Sequence, residues 1–275
     1  MNHLTPRSRG LVAIFVGILI FAGLACATDD PPVAGSQDKD LEEVARQYQI
    51  EMITTDVGYP VKTYHGPIAG RAAEEKALQV YIPLFVPEFT LYPPELVKRS
   101  GLKRVVLCGD LAFDGQRRNA IPDYEHDTLY LDVARGAYDK NYLRKVIHHE
   151  FFHVIDYRDD GLVYEDKDWK KLNPPRFQYG EGGRFAQDKP TTSLLNEDEP
   201  GFLNHYSTTG VEEDKAELFA NLIVEPSYIE TRIKKDKVLE TKVNRMKKLL
   251  ADFTPEMNDP FWSKVNATRR SGRSD

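Results

Sequence analysis

Residues 147–156 read Ile147-His148-His149-Glu150-Phe151-Phe152-His153-Val154-Ile155-Asp156, and the rest of the chain is best understood outward from them. Apolar residues flank a His-Glu-x-x-His spacing on both sides, and the pattern predicts one helix from near Asp139 to Tyr157, stopped ahead of Asp159-Asp160-Gly161. Side chains four apart on a helix stand one above the other, so the imidazoles of His149 and His153 leave the same face and can meet a single ion. Zinc accepts such nitrogens and, in catalytic sites, takes three protein ligands and keeps a position for solvent. Glu150 belongs to the adjoining strip, from which a carboxylate can reach a metal-activated water as general base without ligating the metal. The expectation is one Zn2+ per chain. His148 points to another face and reads as an ordinary buried histidine.

A third ligand is then required, and the candidate is a carboxylate in apolar surroundings, where its charge would be costly without a cation. Glu217 meets that description in Ala216-Glu217-Leu218-Phe219-Ala220-Asn221-Leu222-Ile223-Val224. Glu213 and Asp214, one turn earlier, are the runners-up, either as ligands or as groups that orient the histidines. Asp156 shares the face of His149 and His153 and suits a hydrogen bond to an imidazole or a structural ion pair equally well. Tyr206 is placed to donate its phenol to the oxyanion formed when water attacks an amide, and its neighbour His205 is the weaker candidate for that role.

Further out, a helix is expected from Arg71 to about Val86, stopped by Pro93-Pro94, and a strand around Val105. A second strand is expected over Thr128 to Val133, where Leu129, Leu131 and Val133 alternate, and it is a candidate edge strand for pairing with an extended peptide. A loop-rich region, punctuated by Pro174-Pro175, Gly180, Gly182-Gly183 and Pro200-Gly201, spans Trp169 to Asn204; loops this long are more often functional than idle. Helices follow over Val211 to Val224 and Ser227 to about Phe253.

At the N-terminus, Arg7 and Arg9 precede an apolar run from Leu11 to Ala25, the order of a secretory signal peptide. Cleavage after Ala25-Cys26-Ala27 competes with a lipoprotein reading in which Gly23-Leu24-Ala25-Cys26 ends in a lipidated Cys26, which would anchor the chain to a membrane in the cell envelope; the soluble secreted or periplasmic form is the alternative. Residues 1–26 are thus assigned to the signal, 27–40 to a flexible tether, 41–264 to one folded domain and 265–275 to a disordered tail. The second of the two cysteines, Cys108, sits in an apolar stretch and reads as a small buried hydrophobe, so no disulfide framework is expected. With 37 basic residues against 43 acidic ones, nothing in the composition invites nucleic acid.

Together, the segment His149-Glu150-Phe151-Phe152-His153-Val154-Ile155-Asp156 and the downstream His205-Tyr206-Ser207-Thr208-Thr209 with Glu213-Asp214-Lys215-Ala216-Glu217-Leu218-Phe219-Ala220 resemble the zinc-binding metallopeptidases of bacteria, a gluzincin-like family related to the catalytic domain of anthrax lethal factor. The resemblance is good for about 80 residues around these motifs. It implies zinc bound by His149, His153 and Glu217, Glu150 as the base, and Tyr206 near the metal. The fold expected is α+β and zincin-like, a small twisted sheet packed on the His-Glu-x-x-His helix with a mostly helical C-terminal part. The activity expected is hydrolysis of a peptide or protein substrate. Two alternatives stand beside it: a zinc-binding envelope lipoprotein that cleaves nothing, and a hydrolase of non-peptide bonds.

Overall fold

A computed structural model describes residues 34–183 and 192–271. The signal-like segment 1–26, with Cys26, and residues 27–33 of the expected tether lie outside the described residues. The architecture is α+β. Helix α1 (Ala34–Tyr48) leads into strands β1 (Glu51–Ile53), β2 (Val61–Thr63) and β3 (Gly66–Ala72), then helices α2 (Glu75–Phe89) and α3 (Pro94–Arg99). Strands β4 (Arg104–Phe113), β5 (Gln116–Arg117), β6 (Ala120–Asp123) and β7 (Thr128–Asp132) complete the sheet. The remainder is helical: α4 (Lys140–Asp159), α5 (Lys167–Lys170), a 3-10 turn (Tyr206–Thr208), α6 (Val211–Val224), α7 (Pro226–Arg232), α8 (Lys237–Phe253) and α9 (Asp259–Ser271).

The sheet is mixed, seven strands in the order β2-β3-β4-β7-β6, with β1 and β5 also paired to β4. Long β4 is its spine: its first half pairs in parallel with β1 and β7, its second half antiparallel with β3 and β5. One face, through Val105, Leu107, Leu129 and Leu131, packs into the main core with the helices, while Val106, Cys108 and Tyr130 face a smaller cluster with Ile68 and Leu111. Alternation over residues 105–108 and 129–131 produces this two-sidedness, and Asp110, with φ +52°, shifts the alternation so that Leu111 joins the second face.

Several expectations are corrected. The Thr128–Val133 strand is interior: β7 is bonded to β4 on one side and to β6 on the other, and every residue of it is buried, so β6 is the edge on that flank. Folded structure begins before position 41, since α1 starts at Ala34 and its Leu41, Val44 and Tyr48 enter the core. The stretch after 264 is not a structureless tail as far as Ser271: α9 continues through it, Val265 is buried, and Arg269 forms ion-paired hydrogen bonds to Glu88 on α2. The helix expected over 71–86 starts later, at Glu75, because Gly66–Ala72 pairs with β4. The one expected over 227–253 is two helices, broken where Asp236 caps α8 by accepting from Leu239 N at 2.9 Å. Cys108 is buried and free, as expected of a small hydrophobe.

Candidate metal centre

Two helices build the site. Asp139 caps α4, its Oδ1 accepting from Asn141 N (2.9 Å) and Tyr142 N (3.0 Å). Leu143, Ile147, Phe151 and Ile155 seat α4 in the core, which turns His149 and His153 toward α6. All residues of α6 are buried. A helix buried all round yet carrying Glu212, Glu213, Asp214, Lys215 and Glu217 requires partners for its charges.

Those partners sort into three places. Lys215 Nζ lies 2.7 Å from Asp156 Oδ1 and 3.4 Å from Asp166 Oδ2, so Asp156 takes the structural ion pair rather than an imidazole. Asp214 turns away from the histidines: its Oδ2 accepts from Trp169 Nε1 (2.8 Å), Tyr179 Oη (2.5 Å) and Lys242 Nζ (2.7 Å). Lys242 Nζ also donates to Gly201 O at 2.9 Å and stands 3.5 Å above the Phe202 ring. Glu213 and Glu217 both go to His149, on opposite sides of its ring.

Glu213 Oε2 is 3.0 Å from His149 Nε2 and 3.6 Å from His153 Nε2, and the two Nε2 atoms are 3.1 Å apart. This is a triangle of three ligand atoms that could hold a metal ion. Glu217, the carboxylate expected there, instead places Oε1 3.0 Å from His149 Nδ1, while its Oε2 accepts from Asn204 Nδ2 at 2.6 Å. Glu213 thus stands at the shared corner and Glu217 behind the ring. Both lie on the same face of α6, one turn apart, so periodicity could not separate them.

Electrostatics reflect this crowding. Burial opposes a charge on His149, yet hydrogen bonds to Glu213 and Glu217 raise its pKa well above the usual imidazole value. Burial likewise works against ionised Glu213, but its bonds to His149 and His153 hold the carboxyl far below the ordinary range. Glu150 is half-buried beside them, and desolvation pushes its pKa up against the pull of His149 and His153. Tyr206 Oη donates to Glu213 Oε1 at 3.0 Å, which puts the phenol next to the triangle. His205 is exposed and pairs with Asp198 at 3.2 Å, outside the site. His148 is fully buried and satisfied, with Tyr92 Oη at 2.5 Å and Glu88 Oε2 at 2.8 Å from its two nitrogens.

Sequence reasoning missed Asn204 and the glycine loop. Gly180 N donates to Thr208 O (3.1 Å) and Gly182 N to Thr209 O (2.8 Å), which lays the loop along the turn that carries Tyr206. Gly183 then comes so close that a Cβ on it would overlap Glu213 Oε1 and Tyr206 Oη. The Gly182-Gly183 pair in the long loop was the visible signal of such a close backbone approach.

With that geometry in hand, comparison with known proteins gives one match to report. No family model and no curated protein matches the chain. Among solved structures, the chain is similar to a crystal structure described as a "putative zinc-binding metallo-peptidase" from Bacteroides caccae ATCC 43185, at 18% sequence identity and TM-score 0.53, covering 88% of this chain and 94% of that one. At that identity the likeness is one of fold. The Bacteroides protein and this chain share a backbone arrangement over nearly their whole lengths.

Proposed function

We propose that this chain is a zinc-dependent metallopeptidase of zincin-like fold, and that His149 Nε2, His153 Nε2 and Glu213 Oε2 hold its metal. The convergence of those three atoms carries the reading. Zinc bonds of 2.0–2.1 Å in tetrahedral array place ligand atoms roughly 3.3 Å apart. The observed separations of 3.0, 3.1 and 3.6 Å bracket that value, and two imidazoles with one carboxylate are a donor set suited to catalytic zinc. The shared fold of a protein described as zinc-binding points the same way.

When bound, zinc supplies a Lewis acid that polarises a carbonyl and lowers the pKa of water. The chain's own groups do the rest. Glu150, raised by desolvation yet close to two imidazoles, takes the proton from the attacking water and returns it to the leaving amine. Tyr206, released from Glu213, donates its phenolic hydrogen to the oxyanion of the tetrahedral species. Glu217 stands at ion-pair distance from His149 Nδ1 and is itself held by Asn204, which keeps a carboxylate behind the ring. Export and lipidation on Cys26 complete the proposal and place the enzyme in the cell envelope.

Incubation of the purified chain with denatured proteins tests the reading. Wild type should cleave them, and Glu150→Gln should keep one zinc per chain yet lose about 100-fold or more of the rate. Zinc retained by both proteins with cleavage by neither would instead mark a zinc-binding protein without hydrolytic activity.

A further inference from the structure

Beyond the metal triangle, α4 carries an aromatic rim. Tyr157 follows His153 by four positions and Glu150 by seven, hence lies on the same helical face one and two turns further on. Tyr124, from the turn between β6 and β7, stacks on it, with ring centroids 4.4 Å apart and planes 15° from parallel. Tyr164, in the segment after α4, is within electrostatic reach of Tyr124 and of Glu150, Glu212 and Glu213. Tyr157 is 38% exposed, Tyr164 66% and their neighbour Leu162 53%. A lone exposed ring is ordinary, but a stacked pair from two separate segments, with a third exposed tyrosine near it and the candidate catalytic carboxylate on the same helical face, is more than that.

Stacked tyrosines offer large, stiff contact area at little entropic cost, and they bury well against apolar side chains. Both signs of charge border this surface: Glu150, Glu212 and Glu213 stand on the side of the metal corner, while the Arg158 guanidinium lies 5.8 Å from the centroid of the Tyr157 ring and Lys170 Nζ donates to Tyr164 O at 3.2 Å. Because Tyr157 continues the face of Glu150 and His153, a chain laid from the metal corner toward the C-terminal end of α4 would reach the stacked pair of Tyr124 and Tyr157. Resting on the metallopeptidase reading above, the geometry points to Tyr124, Tyr157 and Tyr164 as a specificity shelf that takes one large apolar side chain of a peptide substrate beside the bond to be cut.

The test separates binding from cleavage. Blocked, labelled peptides of Gly and Ser with one central Phe, Leu or Ala are titrated by fluorescence anisotropy into full-length, zinc-loaded Glu150→Gln protein. The Phe and Leu peptides should bind roughly tenfold tighter than the Ala peptide. Adding Tyr157→Ser and Tyr164→Ser, both at exposed positions, should shrink the gap between Phe and Ala to about threefold or less, with zinc content and circular dichroism unchanged. Equal binding of Phe and Ala peptides, no binding of any, or a gap that survives the double substitution overturns the shelf. In parallel the same peptides are offered to protein retaining Glu150. Preference in binding with no cleavage would sink the hydrolytic reading and keep the shelf, whereas cleavage without preference would do the reverse.

Discussion

Glu217 meets His149 on the ring nitrogen facing away from His153: its Oε1 is 3.0 Å from Nδ1, while Nε2 stands 3.1 Å from His153 Nε2. An imidazole that offers one nitrogen to a metal and the other to a carboxylate is fixed in tautomer and rotation. Glu217 and Glu213 thereby meet opposite sides of one ring, although the two occupy consecutive turns of one helix face.

Metal affinity should report that separation. Glu213→Ala is expected to abolish stoichiometric zinc, whereas Glu217→Ala should weaken it roughly 10–100-fold and leave zinc bound at saturating concentration. Chelator competition measures both. A larger loss in Glu217→Ala than in Glu213→Ala would return the ligand role to the residue expected from sequence.

Gly183 should tolerate no side chain. Its Cβ would overlap Glu213 Oε1 and Tyr206 Oη, while one on Gly180 would meet Thr209 O at an ordinary 3.4 Å. Gly183→Ala is expected to lower zinc affinity by about tenfold or more and Gly180→Ala to leave it within about twofold. Similar behaviour of the two variants would mean that the loop yields freely.

Lys242 is the buried counter-charge for Asp214, and burial alone lowers its pKa against the pull of that carboxylate. Lys242→Met leaves Asp214 with the Trp169 and Tyr179 donors but without that cation. Urea unfolding should show a loss of about 3–5 kcal/mol. A change below about 1 kcal/mol would show that the neutral donors suffice.

Glu88 gives the acid limb of stability. Burial would raise its carboxyl, but hydrogen bonds from His148 and Arg269 prevail and hold it at about 2. Arg144 Nε at 3.0 Å from Oε1 adds to the positive surroundings, and the Tyr92 hydroxyl sits on the far nitrogen of His148. A carboxyl depressed on folding contributes stability that is complete above its unfolded value and is lost as pH falls toward the folded one. The window is therefore from about pH 4.5 down to about 2. Glu88→Gln should lower stability at neutral pH and flatten this limb in acid titrations of unfolding free energy. An unchanged slope would remove Glu88 from the acid response.

Local periodicity made most of the helical frame legible. Val211–Val224 is one helix end to end, and His149 and His153 share a face because four residues nearly complete a turn. His148 and Cys108 read as core residues because their surroundings in sequence are apolar, and both are buried. Less was visible where partners come from far along the chain. The place of β7 inside the sheet depends on β6 pairing beside it, and nothing within Thr128–Asp132 announces that neighbour. The last helical residues looked unstructured because Arg269 finds Glu88 only across the fold.

The amino-acid sequence by itself determined that two imidazoles would stand together on one helix, with a carboxylate between them and acids waiting on another, because helical repeat is a property of neighbours along the chain. Which acid reaches the shared corner was decided by tertiary structure alone. Glu213 and Glu217 differ by one turn, about 6 Å along the axis, and only the packing of α6 against α4 sets that offset. The same packing gives Asp214 to Lys242 and Asp156 to Lys215, since a charge buried between helices must take whichever opposite charge the fold brings within reach.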